Sequence, residues 1–481
     1  MNRHTNIIFI FILLFSILLI SNGAIAQKSN KIESFLSDLI KVESITGNEN
    51  KIAQFILDYC NNIGLHTKVF KNDSTFNFTA SLYPLSLQKP NIIFMSHLDV
   101  VSSGESSLWK YPPFSGTIAN GYVWGRGAID CKGLLAMQLM AIQDFIDSAK
   151  ISDYPYNITF LAVSGEETSD YSGANFVSKN FLSELNPVAI YGEGGSGMTH
   201  VIPSKPEQVV FGISVSEKKA LWLKLETDSK SMGHGAAPPA LYSNKKLIKS
   251  LIKLLDEKRL IRFGKIARKM FKEMGQLEGG IKGFVLKHVN WEIFWPFVKK
   301  NFEEGEIMHT LVYNTFVITG LYNSEIVNNQ IADKAYAILD CRLLPETDSE
   351  KFIKKVENVL GPKISVTILN ETPGANASDF ENFFYTKLQE STKDVYPDSE
   401  VIPFLFPATT DNNYFRQYDI PVYGFIPVIF SDEEINSVHN INEKISINSL
   451  YNGMIVYQKF IIKLFNDKEF IKRRKHILNE N

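Results

Sequence analysis

Solid apolar runs of strand length alternate with segments of helical periodicity in the first half of the chain. NIIFMSHLDVV at 91–101, YNITFLAVSGEE at 156–167 and PVAIYGEGG at 187–195 are predicted strands, and 131–150 and 174–185 are predicted helices. Strands that are apolar on both faces must be covered on both faces, which is typical of parallel sheets connected by helices. The sequence therefore predicts an α/β fold with a helix-covered, mostly parallel sheet.

The pattern of apolar and polar residues changes from about residue 212. ALWLKLETDS alternates apolar and polar residues as a half-exposed antiparallel strand would, and a Phe-rich helical stretch follows at 245–302 before further strands. We predict an inserted second domain at 213–370, which divides the first domain into 27–212 and 371–481, the latter ending in a charged tail. The helical stretch is compatible with enlarging a pocket, covering the inserted domain or meeting a membrane.

Charge and cysteine content limit the function classes. The 481 residues carry a net charge of -2, which gives no global basic field for nucleic acid. The only cysteines are Cys60, Cys131 and Cys341, without a CxxC motif, so the core and not a disulfide framework must hold the fold together. Any bound metal is expected to have nitrogen and oxygen ligands.

The N-terminus has the pattern of a secretory signal peptide. A short basic start, MNRH, precedes an apolar run and a small-x-small site at Ala24-Ile25-Ala26. The unbroken apolar run, about 14 residues, is shorter than the ~20 residues that span a bilayer. We predict a signal peptide at 1–26 and export to a periplasmic, secreted or lumenal location, without a stable membrane span after cleavage. An uncleaved membrane anchor is the alternative.

Acidic and histidine residues follow the apolar runs where the predicted strands end. Carboxyl ends of parallel strands meet at one edge of a sheet, so these side chains are expected to converge. Such a group of acids without basic neighbours would repel unless cations neutralise it. The residues are His97, Asp99, Asp130, Glu166, Glu167 and Glu193.

Two divalent metals would neutralise this cluster. Mixed histidine and carboxylate ligands suit zinc, with manganese or cobalt as the alternatives. Three ligand carboxylates against two dications leave a net charge of about +1, which a bridging hydroxide would cancel, and metal-bound water has a pKa of about 7. A glutamate beside the ligands could then act as general base, and the Glu166–Glu167 doublet offers one acid for each role.

This pattern resembles the zinc exopeptidase family of carboxypeptidase S, aminoacylase and glutamate carboxypeptidase, nearest the carboxypeptidase S branch. The shared elements are HxD at a strand end, an isolated Asp about 30 residues on, the GEE doublet, an acid before Gly-Gly and the HxxNE-like element SVHNINEKIS. The resemblance implies that Asp99 orients a ligand histidine, that Glu166 is the general base and that Asp130 bridges the metals, with Glu167 on the first and Glu193 on the second. The implied ligands are His97, Asp130, Glu167, Glu193 and His439.

The resemblance also implies a ferredoxin-like α+β lid at 213–370, through which homodimers can form. In relatives, a lid histidine helps to polarise the scissile carbonyl, often from the neighbouring subunit, and His234 in SMGHGAAPP matches it. The Asp130–Cys131 peptide resembles the cis bond of the family, and Cys131 is interpreted as structural.

Two departures from the family concern recognition of the substrate carboxylate. Asn413 stands where relatives commonly have Arg, with Arg416 three residues on, and Tyr313 stands where carboxypeptidase S relatives often have Arg. Asn314 and Arg342 are further candidate substrate contacts, although each is equally compatible with lid structure. We therefore expect a weaker demand for a free carboxylate.

The leading functional prediction is an exported di-zinc hydrolase of C–N amide bonds. Its substrates would be short peptides, as for a carboxypeptidase, or N-acyl amino acids. Two alternatives remain open at this point. One is a non-catalytic protein of the same fold that binds peptides or acts in surface interactions, and the other is a deacylase or esterase with the same metal site.

Overall fold

A computed structural model describes residues 31–72, 74–148, 154–168, 172–229, 234–304, 306–324 and 328–467. The predicted signal peptide at 1–26 lies outside these residues. Within the described ranges, no helix combines the length and apolar character that crossing a membrane requires.

Helices and strands alternate through the first part of the described chain and again at its end. The α-helices are α1 (31–41), α2 (Asn50–Asn62), α3 (Lys132–Ser148), α4 (Gly173–Leu185), α5 (Ser243–Leu255), α6 (Lys265–Glu278), α7 (Gly280–Lys287), α8 (Trp295–Glu304), α9 (Glu306–Val312), α10 (Ser349–Leu360), α11 (Phe383–Val395), α12 (Asn412–Arg416), α13 (Asp432–Ser437) and α14 (Ile447–Asn466). The strands are β1 (His66–Lys71), β2 (Phe76–Ser81), β3 (Asn91–His97), β4 (Thr117–Ala119), β5 (Tyr122–Trp124), β6 (Asn157–Val163), β7 (Pro187–Met198), β8 (Val210–Glu217), β9 (Lys219–Asp228), β10 (Thr315–Asn323), β11 (Lys334–Leu343), β12 (Ser365–Glu371), β13 (Glu400–Phe406), β14 (Val422–Ile429) and β15 (Lys444–Ser446). Short 3-10 helices cover Leu85–Leu87, Ser106–Leu108 and Glu292–Phe294.

The larger domain is built on an eight-stranded sheet of order β1-β2-β6-β3-β7-β14-β8-β13. Its centre, β6-β3-β7-β14, is parallel, and β1 and β2 add antiparallel strands at one edge. The predicted α/β class is confirmed, with a mixed sheet whose parallel part lies at the centre. A separate antiparallel sheet of order β15-β5-β4 lies beside it.

Strand β3 shows why continuous apolar runs form the centre of the sheet. Its side chains alternate between the faces: Ile92 and Phe94 belong to the core cluster that includes residues of α3 and α14, whereas Ile93 and Met95 pack with residues of α4. All seven residues of the strand are buried. Because helices cover both faces, neither face can be polar.

The smaller sheet has the topology predicted for the lid. Its order is β10-β11-β9-β12 with antiparallel pairing throughout, and the elements β9-α5-β10-β11-α10-β12 follow the ferredoxin-like βαββαβ sequence. Leucines of α5 and residues of α10 form one core with the buried face of this sheet. The predicted boundary at residue 213 falls inside β8, which pairs within the large sheet, and the smaller sheet begins at Lys219.

The helical stretch between α5 and β10 packs against the larger domain. Ile266, Met270 and Phe271 of α6 are buried in the main core cluster, as are Phe302 of α8 and Tyr313. Helix α6 contacts β13 at the edge of the large sheet. The insert therefore extends the core of the larger domain, and Tyr313 is one of its core residues.

We expect Met274→Ala on α6 to lower the free energy of unfolding by about 2–3 kcal/mol, because the side chain is only 5% exposed in the main core. The matched control is Gln276→Ala, which lies on the solvent side of the same helix and is expected to change stability by less than about 0.5 kcal/mol. Denaturant unfolding of both variants measures the difference. Equal effects would show that α6 is not part of this core.

Candidate metal centre

The carboxyl ends of three neighbouring parallel strands meet at the candidate site. Strand β3 ends at His97, the Glu166–Glu167 doublet follows β6, and Glu193 lies in β7. Asp130 precedes α3, and His439 follows α13. The position agrees with the rule that sites in such sheets form at the carboxyl ends of the strands.

Asp130 lies between two histidines. Its Oδ1 is 2.9 Å from His97 Nε2, and its Oδ2 is 3.0 Å from His439 Nε2. Each histidine also lies near one glutamate: Glu193 Oε2 is 3.4 Å from His97 Nε2, and Glu167 Oε2 is 3.1 Å from His439 Nε2. The cluster thus consists of two His–Glu pairs that share one carboxylate.

Asp99 supports the site in two ways. Its carbonyl oxygen is 2.9 Å from His97 Nδ1, whereas its carboxylate is 3.6 Å away, too far for a hydrogen bond. The carboxylate instead accepts hydrogen bonds from the backbone N–H groups of Gly165, Glu166 and Glu167, at 2.9 to 3.1 Å. Asp99 therefore orients His97 through the backbone and fixes the turn that carries the glutamate doublet.

The electrostatics of the cluster fit bound cations. Burial raises the pKa values of Glu167 and Glu193. Hydrogen bonds to Asp130 and Glu167 raise the pKa of His439 to about 10. Within the described ranges, no lysine or arginine forms an ion pair with these carboxylates, and Glu167 Oε1 is buried without a hydrogen-bond partner. Nitrogen and oxygen donors, excess negative charge and an unsatisfied carboxylate oxygen together suit divalent metals.

Glu443 holds the loop that carries Asp130. Its carboxylate accepts a hydrogen bond of 2.7 Å from Arg126 Nη1 and further bonds of 2.8 to 3.1 Å from the backbone N–H groups of Gly127, Ile129 and Asp130. Both Glu443 and Arg126 are buried. One carboxylate from the HxxNE-like element thus fixes the approach of Asp130 to both histidines.

A cavity of about 410 Å³ opens between the two domains next to the cluster. Arg342 and Trp222 reach it from the lid sheet, and Glu166 reaches it from the larger domain. Trp222 Nε1 and Asp411 Oδ2 are buried there without a hydrogen-bond partner. The lining residues are Glu166, Glu167, Thr168, Ser172, Ala220, Trp222, Arg342, Asn370, Thr372, Pro407, Ala408, Thr409, Thr410, Asp411, Tyr414 and His439.

Glu166 is the acid of the doublet that does not pair with a histidine. It is partly buried at the cavity wall, and burial together with the neighbouring charge of Glu193 raises its pKa well above the usual range. Its backbone N–H is fixed by Asp99. Glu166 thus lines the space beside the cluster without a histidine partner.

Of the predicted substrate contacts, the structure places only Arg342 at this cavity. Asn314 accepts hydrogen bonds from Leu344 N and Thr347 Oγ1 within the lid. Arg416 is 1% exposed and binds Asn413 Oδ1, and its Nη1 is 3.5 Å from Glu217 Oε1. These contacts favour structural roles for Asn314 and Arg416, and Asn413 Oδ1 serves as an acceptor for Arg416.

Two further predicted residues lie outside the cavity. His234 is exposed in the lid, where its Nδ1 accepts a hydrogen bond from Ala236 N and its Nε2 lies 3.3 Å from Asn329 Nδ2. Cys131 is buried and unpaired, burial raises the pKa of its thiol, and the Asp130–Cys131 peptide bond is cis. All three cysteines are buried and free, as the cysteine content predicts.

Three residues of the site, and the acid that pairs with Arg416, were missed by the sequence reasoning. Asp411 and Glu217 could have been found, because each is an acid at the end of an apolar run, the signal that identified the others. Glu443 lies in the HxxNE-like element without a role having been inferred for it. No local pattern indicates Trp222 as a site residue, because the apolar–polar alternation of its strand predicts only which face of the sheet its side chain occupies.

The family model "Peptidase family M20/M25/M40" matches residues 93–463. The mouse "N-fatty-acyl-amino acid synthase/hydrolase PM20D1" is 29% identical over 387 residues, which cover 79% of this chain and 74% of the mouse protein. The "Probable carboxypeptidase S-like 2" of Dictyostelium discoideum is 25% identical, over 77% of this chain and 71% of its own length.

Solved structures show the same fold. An M20 family metallo-carboxypeptidase from Sulfolobus solfataricus has a TM-score of 0.66 at 20% identity, with 89% of this chain and 97% of that chain covered. The YXEP protein of Bacillus subtilis, described as a dinuclear metal binding peptidase from the M20 family, has a TM-score of 0.53 at 11% identity, covering 92% and 99%.

Proposed function

Because the chain belongs to peptidase family M20/M25/M40, we propose that it hydrolyses the amide bond of N-acyl amino acids at a site for two divalent metals, with short peptides as the second substrate class. One observation carries the proposal: the Asp130 carboxylate lies between His97 and His439, each of which also has its own glutamate. A shared carboxylate between two such pairs is the arrangement that two neighbouring cations require.

The proposed ligands divide into two sets. His97 and Glu193 would hold one metal, His439 and Glu167 the other, and Asp130 both. Zinc suits these donors best, with manganese or cobalt as alternatives. Bound at this position, the metals would polarise the amide carbonyl and acidify the attacking water.

Glu166 is proposed as the general base. It faces the cavity beside the ligands, and the Asp99 carboxylate holds its backbone. It would take one proton from the attacking water as the new C–O bond forms, and pass that proton to the amine nitrogen as the C–N bond breaks. The acid product then loses the second proton of the water, so the final products are a carboxylate and a protonated amine. His234, which is exposed in its own chain, is proposed to assist from a partner subunit through a lid dimer.

The similarity to fatty-acyl-amino acid hydrolases supports N-acyl amino acids as the first substrate class. Within the cavity, Trp222 and Tyr414 offer apolar surface to an acyl chain. The similarity to a carboxypeptidase S-like protein supports peptides as the second class.

The test is a substrate panel of N-acyl amino acids with short and long acyl chains, dipeptides, and the ester matched to each amide. We expect the highest kcat/KM on N-acyl amino acids and lower values on dipeptides. Faster turnover of the esters than of the amides would support the esterase alternative. Absence of hydrolysis by metal-loaded protein would overturn the proposal and favour the binding protein.

Carboxylate recognition provides a second test. Arg342 Nε and Nη2 bind Asp340 at 2.9 and 3.0 Å, and the buried Arg416 faces Glu217, so the charge of both arginines is already compensated. We therefore expect an N-acyl amino acid and its carboxamide to be hydrolysed with kcat/KM values within a few-fold of each other. The matched variant is Asp340→Asn, which frees Arg342 and should shift the preference roughly tenfold towards the free acid. A strong preference of the unmodified protein for the free acid would contradict this account.

Export is part of the proposal. The MNRH start, the apolar run and the Ala24-Ile25-Ala26 site support a cleaved signal peptide. N-terminal sequencing of the protein recovered from outside the producing cell tests it, and a chain that begins at Met1 would contradict cleavage.

A further inference from the structure

Helix α7 exposes apolar side chains to solvent. Ile281 is 85% exposed and Phe284 is 50% exposed, and the segment that follows adds Trp291 at 49% and Ile293 at 72%. The rings form one group, since Phe294 lies 5.9 Å from Phe284 and 6.0 Å from Trp291, centroid to centroid. We call Ile281, Phe284, Trp291 and Ile293 the α7 patch. Several exposed apolar side chains around one group of aromatic rings indicate an interaction site.

The packing of α7 does not require these side chains. The helix approaches α6 through glycines: a Cβ on Gly283 would lie 2.3 Å from Gly275 O. On a helix with about 100° per residue, Ile281 and Phe284 share a face, and Gly283 lies roughly opposite to it. The apolar side chains thus point away from the core that α7 completes.

Lysines flank the patch. Lys282 lies about 100° from Ile281 around the helix, and Lys287 lies about 60° from Phe284 on the other side. Residues 265–300 contain eight lysines and arginines and three glutamates, a net charge of +5 within a chain whose net charge is -2. Aromatic and aliphatic residues between lysines are the composition of surfaces that lie on anionic membranes.

We propose that the α7 patch is a peripheral binding surface for anionic phospholipid bilayers, which the aromatic residues enter while the lysines contact the headgroups. A second copy of the chain is a poorer occupant. A symmetric dimer would place the same patch on both sides and bring two segments of net charge +5 together.

The patch is separate from the metal centre. Glu278, immediately before α7, accepts a hydrogen bond from Ser204 N, ahead of the start of β8. Neither α7 nor the segment that follows it to Ile293 contains a candidate metal ligand or a residue that lines the cavity beside the cluster. Membrane binding would hold the enzyme on the surface that takes up apolar acyl chains. The benefit to catalysis rests on the proposed function, whereas the binding of the α7 patch to membranes does not.

The test measures binding of the full chain to vesicles of phosphatidylglycerol and phosphatidylcholine in equal amounts. We expect the variant Ile281→Ser, Phe284→Ser, Trp291→Ser, Ile293→Ser to lose partitioning at least roughly tenfold. The matched control is Ile248→Ser, Ile252→Ser on α5, where two isoleucines are 53% and 51% exposed, and it should bind like the unmodified chain. Lys282→Glu, Lys287→Glu should weaken binding roughly tenfold.

A local readout separates the patch from the N-terminal apolar run, which all variants share. Brominated phospholipid should quench the fluorescence of Trp291, so quenching should fall in Trp291→Phe. Equal quenching in that variant, or equal partitioning of the patch and control variants, would overturn the proposal. Patch-dependent self-association without vesicle binding would also overturn it, in favour of a second copy. Activity plays no part in these readouts, so their failure is distinct from failure of the proposed function.

Discussion

Glu166→Gln is expected to lower kcat by roughly a thousandfold or more while the protein keeps its metal. The amide has the shape of the carboxyl group, so the fold and the backbone hydrogen bond to Asp99 should persist. Neutral Gln cannot accept the proton from water or return it to the leaving amine. Steady-state kinetics measure kcat, and elemental analysis of the same preparation measures the metal content.

The adjacent residue provides the matched control. Glu167→Gln removes a proposed ligand that lies 3.1 Å from His439, so this variant is expected to lose metal as well as activity. The two substitutions are identical in chemistry and one position apart. If Glu166→Gln lost metal and Glu167→Gln kept it, the roles of the doublet would have to be exchanged. Appreciable activity in Glu166→Gln would remove it as the general base.

Glu443→Leu is expected to lower the free energy of unfolding by about 3–5 kcal/mol. The substitution would leave Arg126 as a buried charge without its partner and three backbone N–H groups without their acceptor. Because one of these belongs to Asp130, metal affinity should fall with stability. Denaturant unfolding and metal titration measure both.

Glu433 is the matched control for Glu443. It pairs with Lys444 at the surface, where its side chain is 76% exposed, so Glu433→Leu should change stability by no more than about 1 kcal/mol. A similar loss of stability in the two variants would contradict the role of Glu443 in holding the loop that carries Asp130. Glu443→Gln keeps one acceptor oxygen, so its loss in free energy of unfolding should lie between those of Glu433→Leu and Glu443→Leu. If it restored stability but not metal affinity, the charge of Glu443 would be shown to act on the site.

Much of the metal centre was predictable because it follows from strand geometry. A strand with a long apolar run, such as β3, needs cover on both faces, and acids just beyond several such strands must meet at one edge. Both the apolar runs and the acids that follow them are visible in the local sequence. His439 is different, since it lies far along the chain after a short helix, and only the HxxNE-like element indicated it.

Other features depend on packing that no local pattern encodes. Arg416 reads as a candidate substrate contact in TTDNNYFR, yet it is buried against Glu217, a residue nearly two hundred positions earlier in the chain. The Phe-rich insert has helical periodicity, but periodicity does not say which surface its apolar face meets. In the structure, α6 meets β13 of the larger domain, and this pairing is fixed by tertiary contacts alone.

Metal content, combined with hydrolysis before and after chelation, tests the central claim most directly. Elemental analysis of the purified protein, with the N-acyl amino acid and dipeptide panel run beside it, should give about two divalent ions per chain, as two His–Glu pairs sharing Asp130 require. Chelation should abolish hydrolysis, and added zinc should restore it. Folded protein that binds no metal on reconstitution, or hydrolysis that persists after complete metal removal, would contradict the account.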